Sequence, residues 1–202
     1  LAHTNVQDVS ISSGLINTNL DGGLNVVGID AAQDEYRLLL SADFGQIPFN
    51  PSMNVHSVSL GMYLEDLIFG AGATGMTFTV HRVITTGWSE TTATWNGTGT
   101  ALWAAAGMQA GVDYDATPID TIFMSNAQAI DSIIFFDLGH RMMYIDGVHS
   151  WVIIGTPTQG WMEAGFADNS DETSSKRPLL LMNYTDIAVS YTHLRAHETL
   201  SH

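Results

Sequence analysis

The chain contains no cysteine. That excludes a disulfide framework, a thiolate nucleophile and any zinc or iron–sulfur centre built on sulfur ligands. Basic residues are also scarce: six Lys and Arg stand against 21 Asp and Glu, for a formal net charge of −15. That sign opposes binding to nucleic acid or to an anionic membrane surface, so neither is an expected partner. It favours divalent cations, whose hard oxygen ligands are carboxylates that otherwise repel one another. No apolar run is long enough for a membrane-crossing helix, and no signal-peptide pattern is seen. The first residue is Leu1 rather than Met, which reads as a processed or truncated start. Catalytic motifs are missing as well: there is no G-x-S-x-G elbow, no H-E-x-x-H helix and no G-x-x-x-x-G-K phosphate loop. His56, His81, His140 and His149 are scattered, and Glu65 and Asp66 are neighbours on a strand end whose side chains point apart. The chain therefore reads as a non-enzyme.

What is present suits one all-β domain. Apolar residues make up 45% of the 202 positions and charged residues 13%, so a core is available while Ser, Thr, Asn, Gly and Asp must cover most of the surface. Short alternating runs recur. Residues 6–11 alternate, and Leu24, Val26 and Gly28 share a face of a second run. Tyr36, Leu38, Leu40, Ala42 and Phe44 alternate with Arg37, Leu39, Ser41 and Asp43, until Pro48 and Pro51. Val58, Leu60, Met62 and Leu64 alternate with Ser57, Ser59, Gly61 and Tyr63, closed by Glu65 and Asp66. Residues 131–138 form a continuous apolar strand and residues 151–155 another. Leu138, Met142 and Ile145 fall at i, i+4 and i+7, which predicts one short helix before Gly147. The pattern predicts an antiparallel jelly-roll β-sandwich over residues 1–189. Residues 190–202 (SYTHLRAHETLSH) hold three of the eight histidines after the closing strand and read as a non-native or disordered tail, of the kind that sequencing-adapter read-through leaves in metagenomic assemblies. The i, i+4 pair His193 and His197 lies inside that tail and is set aside with it.

The most information-dense stretch is residues 88–96 (WSETTATWN), led by residues 78–87 (FTVHRVITTG). Phe78, Val80 and Arg82 alternate with Thr79, His81 and Val83, as in a strand with one face inward. Trp88 and Trp95 fit either a core edge or a binding platform, and both readings are open. Glu90 fits a hydrogen-bond partner that orders the bend better than it fits a catalytic acid.

A strand ending in VHRV, then W-x-E, then TWN resembles the DNRLRE domain family, which includes carbohydrate-binding modules of the alginate-binding type. Other blocks follow in the same order: residues 17–28 (NTNLDGGLNVVG), 37–48 (RLLLSADFGQIP), 137–161 and 177–184 (RPLLLMNY). The resemblance spans roughly residues 5 to 186. Ser41 and Ala42 depart from it, standing before Asp43 where the family commonly has a basic residue and Phe. The resemblance implies an extracellular or cell-surface polysaccharide-binding module, with a virion or surface-layer structural domain as the alternative and a larger multidomain assembly around either.

Three stretches offer binding chemistry. Asn17, Asn19 and Asp21 place side-chain oxygens at i, i+2 and i+4, as in a loop around a hard cation, although an Asx-type turn satisfies the same residues. Asp168, Asn169 and Asp171, followed by Glu172, form an oxygen-dense loop that in a jelly roll can approach the N-terminal turn and share a structural Ca²⁺ with it. In the long Gly- and Ala-rich connection over residues 97–118, Trp103 with Asp113, Tyr114 and Asp115 pairs an aromatic with oxygen acceptors, the chemistry that grips a sugar. Trp88 and Glu90 complete that expected ligand-binding set.

Overall fold

The computed structural model describes residues 6–46, 53–139 and 147–186. The tail and most of the expected helix, residues 140–146, lie outside the described residues, as do Pro48 and Pro51. The described strands are β1 (Val6–Ser12), β2 (Asn25–Ile29), β3 (Glu35–Asp43), β4 (Met53–Phe69), β5 (Gly75–Arg82), β6 (Asp120–Ser125), β7 (Ser132–Asp137), β8 (Val148–Pro157), β9 (Met162–Phe166) and β10 (Leu179–Asp186). A single 3₁₀ turn, Phe44–Gln46, follows β3. All pairings between these strands are antiparallel, and the fold is the expected all-β sandwich.

Strand β4 organises one half of it. The sequence reading ends this strand at Glu65, but β4 runs through a bulge between Leu64 and Asp66 and continues to Phe69. Leu60 pairs with Leu180 on one edge and Phe136 on the other, and Leu64 pairs with Phe166 and Ser132. So β10 and then β9 succeed one another along one edge, while β7 holds the opposite edge. The other half runs β6, β5, β8, β3, β1. Strand β2 pairs with β9 and with the start of β3, which joins the halves into one sheet curled around its core. In β2 the expected shared face of Leu24, Val26 and Gly28 is not the buried one: Asn25 and Val27 are buried, while Leu24 is exposed. Gly28 has φ +128°, and a Cβ there would stand 2.1 Å from the Met162 carbonyl oxygen, so only glycine fits.

The alternation in the sequence translates directly into two apolar layers. Leu38, Leu40, Ala42 and Phe44 face Val58, Leu60, Met62 and Leu64 in the main core, where Phe78 meets Phe136 and Phe166 edge-on at 5.9 and 6.0 Å. Leu39, Val9, Ile11 and Val152 point to the outer side of β1, β3 and β8 and would face water in a bare sandwich. They do not, because the connection between β5 and β6 folds back over them. Trp88, Trp95, Trp103, Met108 and Tyr114 from that connection complete a second buried cluster. Truncating one such ring to Ala costs roughly 3–5 kcal/mol, so this cover contributes to stability on the same scale as the main core.

Candidate functional site

β1 reads VQDVSIS, and its two faces divide cleanly. Val9 and Ile11 enter the second cluster, which leaves Asp8, Ser10 and Ser12 on the other side. Simple alternation would put that polar side in water. Instead it is buried: Asp8 is 2% exposed, because Ser10 exchanges hydrogen bonds with the backbone of Val26 and brings β2 against it.

Three chain segments meet at Asp8. The Asp8 N–H donates to Glu90 Oε2 at 3.2 Å, and the Asn169 side chain donates to the same oxygen at 2.7 Å. Asn169 also donates its backbone N–H to Asp8 Oδ1 at 3.3 Å and its side-chain amide to the Val6 carbonyl at 2.6 Å. From the other flank, Asn19 Nδ2 donates to the carbonyls of Glu90 and Ala93 at 2.6 and 2.8 Å. Asp168 is also buried, with its carboxylate accepting from the Ser170 N–H and hydroxyl. The cover, the N-terminal strand and the loop after β9 are thus tied through Glu90 and Asn169.

This junction is charged and short of donors. Neither of the two ion pairs among the described residues, Arg37 with Glu35 and Lys176 with Glu65, reaches it. Burial pushes the Asp8 carboxyl up to about 7, assisted by the nearby charges of Asp168 and Glu90 and opposed by the Asn169 N–H and the Asn25 amide. Asn25 Nδ2 and Asp8 Oδ2, both buried, have no partner beyond this mutual contact, which falls short of a full hydrogen bond. Among the described residues, no three acidic or histidine side chains stand where they could hold a metal ion together.

The expected cation turn has another use. Asn19 Oδ1 accepts the Asp21 N–H in an Asx turn while its amide serves the carbonyls of Glu90 and Ala93, and Asn17 Oδ1 accepts from Asn96 Nδ2 at 2.8 Å. These oxygens point to different partners and do not converge. Asp171 caps its own loop by accepting the Thr173 N–H. Asp168 and Asn169 do approach the N-terminal region, as the jelly-roll argument expected, but they meet β1 and Glu90 rather than Asn17 and Asp21.

The expected sugar platform is likewise built inward. Trp88, Trp103 and Tyr114 are 8%, 4% and 8% exposed, and Trp103 Nε1 donates to the Thr94 carbonyl. Asp113, 2% exposed, accepts the N–H groups of Ala104 and Gln109 and the Thr85 hydroxyl, so its oxygens are committed to holding the connection in shape. The Asp115 carbonyl meets His81 Nδ1 at 2.8 Å, and burial holds the His81 ring below the usual histidine range. Arg37 fastens the whole cover to β3. It donates to the carbonyls of Gly107 and Met108, and its guanidinium lies 5.2 Å from the Trp95 ring centre.

Exposed aromatic rings lie elsewhere, Phe69 on β4, Phe123 on β6 and Tyr184 on β10 among them, and one stands on the outer side of β7, β4 and β10. Phe135 is 47% exposed and packs over Gly61, where a Cβ would meet the ring at 2.9 Å. Ile133, 40% exposed, flanks the same glycine, and Leu181 is 45% exposed one strand away. The pairing register sets Ser59 between Asp137 and Leu181, with Ser57 beside Asn183. The sequence signal for this face was Gly61, the one position without a side chain in an alternating strand.

Gly70, Gly72 and Gly75 match the G-x-G-x-x-G spacing of dinucleotide-binding turns. The run joins β4 to β5 and opens no helix, so the phosphate-binding helix N-terminus that the motif needs does not follow it.

No family model matches the chain, and no curated protein matches it at a significant level.

Proposed function

We propose that the chain is a non-catalytic polysaccharide-binding module acting outside the cell, and that the outer face of β7, β4 and β10 is its binding surface. The observation that carries this reading is Phe135, a half-exposed ring seated over Gly61 next to the Ser59 and Asp137 pair, with Asn183 farther along the same face. A sugar ring offers a C–H face to an aromatic and hydroxyls to flanking amides, carboxylates and hydroxyls, which is the mixture this face presents. The order of motifs resembling DNRLRE domains supports the same reading. Weak single contacts of this kind gain strength by repetition along a polymer.

Ile133 and Leu181 beside Phe135 favour a second reading, a virion or surface structural protein in which another copy covers the apolar residues. One experiment separates the two: affinity electrophoresis through gels holding neutral and anionic polysaccharides, with sedimentation of the same samples, for the parent chain and Phe135→Ala. The binding-module reading expects a monomer retarded by at least one polymer, and a loss of about tenfold in affinity for Phe135→Ala, equivalent to ~1.4 kcal/mol. An oligomer that no polymer retards, and that Phe135→Ala dissociates, would establish the assembly reading instead.

A further inference from the structure

We infer that Phe123 and the threonines beside it on β6, β5 and β8 form a second sugar subsite, and that the polymer taken by both subsites is an uncharged polysaccharide. The inference rests on the polysaccharide reading and deepens it, since it names a further contact and the class of polymer.

Phe123 is 59% exposed, more than any other Phe, Tyr or Trp among the described residues. It repeats the arrangement of Phe135, for each ring stands on an edge strand over a glycine of the neighbouring strand, and a Cβ on Gly75 would lie 2.4 Å from the Phe123 ring. Pairing fixes what surrounds it. Residues directly opposite one another share a face, so the row Phe123, Thr77 and Thr156 crosses β6, β5 and β8, and Thr121, Thr79 and Ile154 form the next. The cover begins one row further on, at His81 and Val152, and leaves these two rows open. Thr79 shares a hydrogen bond with His81 Nε2 at 3.0 Å, while the hydroxyls of Thr77, Thr121 and Thr156 are bound to no other described residue. A ring flanked by free hydroxyls suits the C–H face and the hydroxyls of a sugar.

Charge selects the polymer. None of the outward positions here, 121, 123 and 125 on β6, 75, 77 and 79 on β5, and 154 and 156 on β8, holds an Asp, Glu, Lys or Arg. Beside Phe135 stands Asp137, and the chain's one lysine, Lys176, is already paired with Glu65 at 2.5 Å. A polymer bearing carboxylates or sulfates would find no basic side chain in these rows and would enter the field of a chain with net charge −15. A neutral polymer meets no such opposition. The two rings also stand at one level, because the Asp137 N–H donates to Asp120 Oδ2 at 2.8 Å and brings the end of β7 to the start of β6. Phe123 is three residues in from that contact and Phe135 two, so at about 3.3 Å per residue their levels differ by only ~3 Å. One chain crossing from edge strand to edge strand can lie on both rings, and each contact then reinforces the other.

The test is affinity electrophoresis of the full chain through gels holding a panel of neutral and anionic polysaccharides. The variants are Phe123→Ala, Phe123→Trp, Thr77→Val, Phe135→Ala, the double Phe123→Ala with Phe135→Ala, and Phe69→Ala, an exposed ring on β4 outside both subsites. Circular dichroism checks that each is folded, and sedimentation reports self-association. A neutral polymer should retard the parent, with little dependence on salt, and the anionic polymers should not. Phe123→Ala should weaken that binding about tenfold, Thr77→Val less, and the double variant more than either single one. Phe123→Trp and Phe69→Ala should bind as the parent does. A neutral polymer that holds Phe123→Ala as tightly as the parent, while Phe135→Ala loses binding, overturns the inference and leaves the polysaccharide reading in place. Retardation by anionic polymers alone does the same. No retardation of the parent in any gel overturns both. A parent dimer that Phe123→Ala dissociates overturns the subsite by assigning the ring to self-association.

Discussion

Asp113 is the most demanding test of how the cover is held. Its Oδ2 accepts the N–H groups of Ala104 and Gln109 at 2.9 and 2.7 Å, and its Oδ1 accepts the Thr85 hydroxyl at 2.8 Å. Its backbone carbonyl takes the N–H groups of Ile84 and Thr85, but those bonds survive any substitution of the side chain. Asp113→Ala therefore removes three acceptors at a position that is 2% exposed. Each stranded donor costs about 1–3 kcal/mol when water cannot reach it. Ala104 and Gln109 are exposed residues, so their N–H groups recover part of that loss from solvent, and the expected total is about 3 kcal/mol. Asp113→Asn keeps one good acceptor and loses the charge assistance, for about half as much. The assay is urea unfolding followed by tryptophan fluorescence. With a slope on the order of 2 kcal/mol/M, Asp113→Ala should lower the midpoint by about 1.5 M and Asp113→Asn by less. Midpoints within experimental error of the parent for both variants would refute the structural role. A selective loss of polysaccharide binding at unchanged stability would return Asp113 to the ligand-contact role expected from its sequence setting.

Two further outcomes are expected. The raised Asp8 carboxyl makes folding favour the protonated form, so its contribution is fully present below the unfolded value of 3.8 and is lost as pH rises through about 7. The stability difference between the parent and Asp8→Asn, from denaturant unfolding at a series of pH values, should therefore shift toward the variant from pH 4 to 8 by an amount on the order of 4 kcal/mol; a flat difference would show that Asp8 ionises without cost. Arg37→Lys, which keeps the charge but cannot hold Glu35 with one nitrogen while another reaches the Gly107 and Met108 carbonyls, should cost about 1–3 kcal/mol. Hydrogen exchange should then quicken in the cover before it does in β3 and β8, and uniform quickening would argue against a local fastening.

Much of the sheet could be read from alternation, because side chains of period two were sorting between a core and its outside. Val58 to Leu64 and Leu38 to Phe44 are the clearest cases. Alternation failed where both sides of a strand are buried. The Asp8, Ser10 and Ser12 side of β1 is a buried polar seam, and nothing local in VQDVSIS announces that β2, Glu90 and Asn169 will close over it. The same reason hid the role of the β5–β6 connection. Its glycines and alanines show no period that would reveal a packed cover, yet Gly107 is there so that the Trp95 ring can lie against the backbone, at 2.3 Å from where a Cβ would stand. Asn19 was read as a cation ligand or an Asx-turn residue; it forms the turn, and the direction of its amide depends on Glu90 and Ala93, more than seventy positions away. Strands β6 (DTIFMS) and β9 (MEAGF) were not read from the sequence.

The second cluster also turns the cover into its own reporter. Of the five tryptophans, Trp88, Trp95 and Trp103 belong to the cover, Trp151 lies in the main core and Trp161 lies against Gly70. Intrinsic emission is thus weighted toward the cover, whereas far-ultraviolet circular dichroism is weighted toward the sheet. If the cover peels away before the sandwich melts, the two signals will part along the unfolding curve without any added label.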